Sequence, residues 1–132
     1  MNKKIITHNN PDLDAVASCW LLKRFLPDWE DAEIDYCEPK STIDGKPVDS
    51  DPDILHVDVA DGKLDHHQTS EKISAAFLVF KFIESKLKEK GMDFKKLDRI
   101  ALDEMVKVIT EIDNARDLVW SESSKLKTHF YL

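Results

Sequence analysis

Apolar positions recur in short β-rich runs through the first half of the chain and at helical spacing through the second. Lys3 to His8 predicts a first strand, in which the adjacent Ile5 and Ile6 suit a parallel strand buried on both faces. From Asp12 to Phe25 a helix is expected: Ala15, Val16, Cys19, Trp20, Leu22 and Leu26 make it apolar on most sides, and Lys23 and Arg24 mark its solvent edge. Glu33 to Cys37 predicts a second strand in which Ile34 and Tyr36 alternate with polar neighbours. Glu38 to Pro52, rich in Pro, Asp, Lys and Ser, reads as a loop that turns at Gly45. Ile54 to Val59 predicts a third strand, whose period of two puts His56 and Asp58 on one face.

Ala76, Phe80, Ile83 and Leu87 predict a helix from about Ser74 to Lys90, with Lys86, Lys88 and Lys90 toward water and Gly91 as its stop. A third helix, from about Lys95 to Ile112, is expected to bury Leu97, Ala101, Met105, Val108 and Ile112. Both stripes read as core and not as cofactor boxes. The tail from Leu118 to Leu132 carries Trp120, Phe130 and Tyr131 and is expected to pack. This order of elements argues for an α/β fold, a mainly parallel sheet flanked by helices, in one domain over residues 1–132. No repeat, low-complexity segment or interior boundary interrupts it. In such sheets ligands gather beyond the carboxyl ends of the strands, and His8 and Asp58 fall at or near such ends.

Composition narrows the function classes. The 132 residues are 42% hydrophobic and 34% charged, which fits a folded domain with a real core. A formal net charge of -7 argues against a large basic face for duplex nucleic acid. No apolar run reaches the roughly 18 residues of a membrane span, and Lys3-Lys4 leads straight into a strand and not into a signal-peptide core. A cytoplasmic protein without a membrane partner is expected. Cys19 and Cys37 lack a CxxC spacing and read as reduced core thiols.

Chemistry concentrates where strands end. After the first strand come His8, a Pro-containing turn, and Asp12 and Asp14 at the start of an apolar helix. Positions two apart lie about 200° apart on an α-helix, so both aspartates can face one point only if the segment is a strand-to-helix turn. Pro11 favours that turn, since Asn10 before it is pushed away from the right-handed helical region. A lone aspartate at a helix start is ordinarily a cap; beside His8 and the later Asp65-His66-His67 it reads as a ligand. His56 fits no such constellation and reads as structural, and Arg116 as a surface arginine.

Four segments together, HNNPDLDA (8–15), VDVA (57–60), DHHQ (65–68) and EIDN (111–114, ending the third helix), resemble in order and spacing the motifs of the DHH phosphoesterase superfamily, in its DHHQ variant. The resemblance implies a Rossmann-like DHH domain and hydrolysis of a phosphodiester or other small phosphate ester by two divalent ions. It implies His8 and Asp12 on one ion, Asp14, His66 and Asp113 on the other, and Asp58 between them. A thiolate-free shell of carboxylates and imidazoles suits Mn²⁺, with Co²⁺, Mg²⁺ or Zn²⁺ as competitors. Asp65 is expected to support a metal-bound imidazole from behind. His67, pointing away from His66, is expected to face the substrate phosphate; no chemistry is assigned to Gln68. Family members generally carry a second, C-terminal domain that grips the substrate, whereas here about 19 residues follow Asp113. The expected substrate is a small phosphorylated molecule or short nucleotide, with a second copy or partner chain completing the cleft. The alternative is a metal- or nucleotide-binding module with little turnover that depends on a partner chain.

Overall fold

The computed structural model describes residues 2–38, 41–67 and 72–119, with side chains at residue 44 and beyond 115 left out. Gln68, the Arg116 side chain, and Trp120, Phe130 and Tyr131 therefore lie outside the described residues. The elements run β1 (Lys4–His8), α1 (Leu13–Phe25), β2 (Glu33–Cys37), a single 3-10 turn (Ile43–Gly45), β3 (Ile54–His56), α2 (Ala75–Glu89) and α3 (Lys96–Val119). The fold is α/β, with a parallel sheet in the order β2-β1-β3. No helix among the described residues is long and apolar enough to cross a membrane.

β1 is central because its residues tolerate no water: Ile5, Ile6 and Thr7 are all but fully buried. The crossover α1 returns the chain to β2, as a parallel pair requires. Ile5 and Leu55 from the sheet and Val57 just beyond β3 meet Leu21 and Leu22 of α1, Leu26 at its end, and Val79, Phe80, Ile83 and Leu87 of α2 in one apolar core. Each such side chain contributes about 1.5–3 kcal/mol by leaving water. α2 begins where Ser74 caps the Phe77 N–H. It ends as expected at Gly91, whose φ of 69° lets its N–H and that of Met92 bond the Lys88 and Leu87 carbonyls.

Several expectations fail for identifiable reasons. Val16 and Trp20 are half exposed, so α1 is apolar on its outer side without being covered there. β2 is an edge strand, exposed from Glu33 to Tyr36, so its alternating Ile34 and Tyr36 are left uncovered. Asp35 turns its own carboxylate onto the Tyr36 N–H at 2.8 Å, filling a donor that another strand would use. β3 stops at His56, not Val59, because Asp58 takes a φ of 56° and the strand cannot continue through it. α3 runs through Asp113 to Val119 instead of ending at Ile112. It buries Leu102, Val106 and Ile109, with Met105 partly covered, while Leu97 is 80% exposed and Ala101, Val108 and Ile112 also face outward.

Candidate metal centre

The turn after β1 builds the first wall. Asn10 adopts a φ of 56°, a left-handed conformation that asparagine tolerates better than most residues. It is not the extended conformation expected before proline. Pro11 precedes the cap and is not the first helical residue; the cap is Asp12, whose Oδ1 accepts the Ala15 N–H at 3.0 Å. Two residues on, Asp14 is 1% exposed and aims elsewhere. Its Oδ2 and Oδ1 accept the N–H groups of Ala75 and Ala76 at 2.9 and 2.8 Å. The two aspartates thus do not meet at one point: Asp12 stands by His8, and Asp14 closes the N-terminus of α2.

The second wall is a contorted loop. Asp58, Ala60 and Asp61 all have φ between 53° and 67°, a conformation that costs an L-residue on the order of 1–2 kcal/mol. The Asp58 N–H bonds the Leu64 carbonyl at 2.9 Å, which folds the chain back on itself. Gly62 permits the reversal, since a Cβ there would lie 2.8 Å from Val48 Cγ2. Because the strand breaks before Asp58, His56 does not share its surroundings. The His56 ring accepts the Ile43 N–H at 3.3 Å and meets Asp49 at 3.3 Å, a structural role.

The reversal delivers the adjacent histidines. His66 is buried, and its Nε2 lies 3.1 Å from Asp113 Oδ2, 3.4 Å from Asp14 Oδ2 and 3.5 Å from Asp58 Oδ1. His67 is half exposed, yet its ring does not diverge from that of His66: the centroids are 4.5 Å apart and the planes tilted by 30°. Its Nε2 lies 3.7 Å from the same Asp58 Oδ1. Asp65 supports His67 and not His66, with Oδ1 at 2.5 Å from His67 Nδ1 and Oδ2 accepting the Asp61 N–H at 2.9 Å. On the far side, Asn114 donates to the Thr110 and Ile73 carbonyls and Ser74 bonds Thr110 at 2.7 Å. These contacts fix α3 against the start of α2 and so place Asp113.

Among the described residues, three groups close enough to hold a cation result: His8 with Asp12 and Asp58, Asp14 with His66 and Asp113, and Asp58 with His66 and His67. His8 Nε2 stands 3.3 Å from Asp58 Oδ2 and 4.0 Å from Asp12 Oδ1. The donor set fits divalent ions. Asp58 Oδ1 and His66 Nε2 are buried and make ion-pair contacts, 3.5 Å from each other, without a hydrogen bond that satisfies them, a state that buried polar atoms seldom occupy. A cation held by carboxylates and imidazole would satisfy both.

Electrostatics follow the crowding. Asp113, then Asp14 and Asp58, push the His66 pKa up to about 12, against burial. Burial raises the Asp58 carboxyl above its ordinary range, with Asp14 and Asp12 adding to the rise and the His66 bond opposing it. Asp65 raises His67. Burial alone would raise Asp65, but the His67 ring and the N–H groups of His67 and Asp61 hold it below its ordinary value. The Cys19 thiol, pushed to about 12 by burial and by Asp58, is an inert neutral group, and both cysteines are free.

No family model, curated protein or solved structure matches this chain. The two contacts from Asp14 to α2 lay beyond sequence reasoning. Ala75 and Ala76 are over 60 positions away and contribute only backbone N–H groups, which leave no signal in the sequence.

Proposed function

We propose that this chain is a DHH-type, divalent-metal-dependent phosphohydrolase with a Rossmann-like catalytic domain, acting on a phosphodiester or other small phosphate ester. The reading is supported above all by one observation. Asp58 and His66, both buried and in ion-pair contact at 3.5 Å without a satisfying hydrogen bond, link the three groups of acids and histidines, each belonging to two of them. His8 and Asp12 would hold one ion, Asp14, His66 and Asp113 a second, and Asp58 would serve both; Mn²⁺ suits these donors best, ahead of Co²⁺, Mg²⁺ and Zn²⁺. Such ions supply Lewis acidity toward a phosphoryl oxygen and make water a better nucleophile near neutral pH.

The remaining work falls to the chain. Asp65, fixed by the Asp61 N–H, holds His67 through Nδ1 and, by raising its pKa, favours the imidazolium over the neutral ring. The half-exposed Nε2–H beside Asp58 is then free to donate to a phosphoryl oxygen and to stabilise charge as it develops there. Asp58, extended beyond the end of the sheet by the left-handed loop, is presented where ligands of parallel sheets collect.

A second reading is a metal- or nucleotide-binding module with little turnover. It draws on Asp14, whose oxygens both serve α2, so that part of the cluster has a structural task without any chemistry. Metal counting after Mn²⁺ loading, followed by a screen of phosphodiesters, pyrophosphate and short oligonucleotides, tests both readings. Two ions per chain with turnover is the expected result. Two ions without turnover of any substrate favours the module, and no bound ion refutes the hydrolase and any metal-binding module.

A further inference from the structure

Two apolar faces have no cover among the described residues. One is a groove of about 430 Å³ between α1 and β2, lined by Val16, Trp20, Ile34 and Tyr36, with Lys23 and Arg24 also on its wall. These four large apolar residues are 39–53% exposed. Neither cation has a carboxylate partner among the described residues; Arg24 rests only over the Phe25 ring. The other face is the outward stripe of α3, where Leu97, Ile100, Glu104, Val108 and Glu111 recur at spacings of three and four. All five are exposed, and neither glutamate is paired among the described residues. The same helix buries Leu102, Val106 and Ile109 on another side. A helix apolar on two sides is not an ordinary surface helix, which carries a single apolar stripe.

The kind of partner that fits the groove follows from β2. Its outer Tyr36 N–H is taken by Asp35, and Glu33 and Asp35 put negative charge along the edge, so strand addition is disfavoured. A helix laid between α1 and β2 needs no strand edge. To satisfy Lys23 and Arg24 that helix must be acidic as well as apolar. The α3 stripe has this chemistry, with Glu104 and Glu111 about 10 Å apart along the axis. A two-fold axis that exchanges the two faces seats each α3 in the other copy's groove. That arrangement closes as a dimer and does not propagate.

We propose that this chain forms a two-fold dimer in which the outward stripe of α3 from each copy docks in the α1–β2 groove of the other, with Glu104 and Glu111 facing Lys23 and Arg24. The proposal is independent of any catalytic role. Sedimentation velocity of the full chain over a wide concentration range should show a reversible monomer–dimer equilibrium that weakens with salt. Val16→Asp in the groove and Ile100→Asp on the stripe, both at exposed positions, should each raise the dissociation constant by about tenfold or more with unchanged circular dichroism. The double variants Lys23→Glu/Arg24→Glu and Glu104→Lys/Glu111→Lys should each be monomeric alone and dimerise when mixed, since both interfaces of the mixed dimer are then complementary. A monomer at every concentration overturns the proposal. So does a dimer indifferent to Val16→Asp and Ile100→Asp, or a mixture of the double variants that stays monomeric.

Discussion

Asp14 and Asp113 share one cation group with His66, yet their surroundings assign them different work. Asp14→Asn in metal-free protein isolates the difference. The amide keeps the shape but offers one acceptor where Ala75 and Ala76 present two N–H groups, so its NH₂ must face a donor. One hydrogen bond to a charged group, worth about 1.5–3 kcal/mol, is lost, and the other falls to neutral strength. Relief of burying the carboxylate offsets part of this, leaving a net cost of about 3 kcal/mol. For a chain of this size that is a fall in Tm of roughly 10–15 °C. Asp113→Asn removes one ion-pair contact to His66 Nε2 and uncaps no helix; with Asp14 and Asp58 still facing the imidazole, it should cost clearly less metal-free stability than Asp14→Asn. Urea unfolding in chelator, at matched m values, measures both. In Mn²⁺ titrations each variant should lose one ion. Wild-type stability for Asp14→Asn would refute the capping argument, and an equal loss for Asp113→Asn would refute the division of roles.

The adjacent histidines should separate in the same assays. His66→Ala should weaken one ion site, whereas His67→Ala should keep its metal and lose on the order of 10²-fold in turnover, the scale of one transition-state donor; loss of metal in both would make His67 a ligand. Metal uptake should be pH-dependent with a definite sign. His66 is raised to about 12 by Asp113, Asp14 and Asp58, so folding gains from this group fully below its unfolded value of about 6.5 and loses that gain as pH rises through about 12. An ion must expel the proton, so affinity should rise up to about tenfold per pH unit near neutrality, with about one proton released per ion at that site. Calorimetry in buffers of different ionisation enthalpy counts that proton, and a flat profile would show that His66 is neutral before the ion arrives. Finally, Gly62→Ala should destabilise by about 1–3 kcal/mol through overpacking against Val48; an unchanged unfolding midpoint would mean that Val48 gives way freely.

Periodicity located α2 well because one apolar stripe, a serine cap and a terminal glycine all agree there. It misjudged α3 because that helix has two apolar stripes, and spacing alone cannot say which one meets the core. The end of β3 was hidden for a different reason. Asp58, Ala60 and Asp61 hold left-handed backbone without glycine, so strain imposed by tertiary structure leaves no mark in composition. The acids and histidines were legible as a set, since four segments in order resemble known motifs, but their pairings were not. Asp65 sits within two residues of both His66 and His67, and only the folded loop decides that it bonds His67.

The arrangement also accounts for how so many acids can share a folded site before any ion binds. Asp14, Asp58 and Asp113 converge on His66 Nε2 within 3.1–3.5 Å, and uncompensated buried charge at that density would be strongly destabilising. Their combined pull holds a proton on His66, which makes the imidazolium a stand-in for the cation. Asp14 adds a second device, because the N–H groups of α2 supply the positive end of a helix dipole to the same carboxylate. Proton and helix together let the chain fold with the cluster assembled, so that on the proposed metal-centre reading ion binding would be an exchange of one positive charge for two and not the formation of a site. Its stabilising effect should therefore be smaller than in domains that fold only on metal binding, where the whole binding free energy is folding free energy.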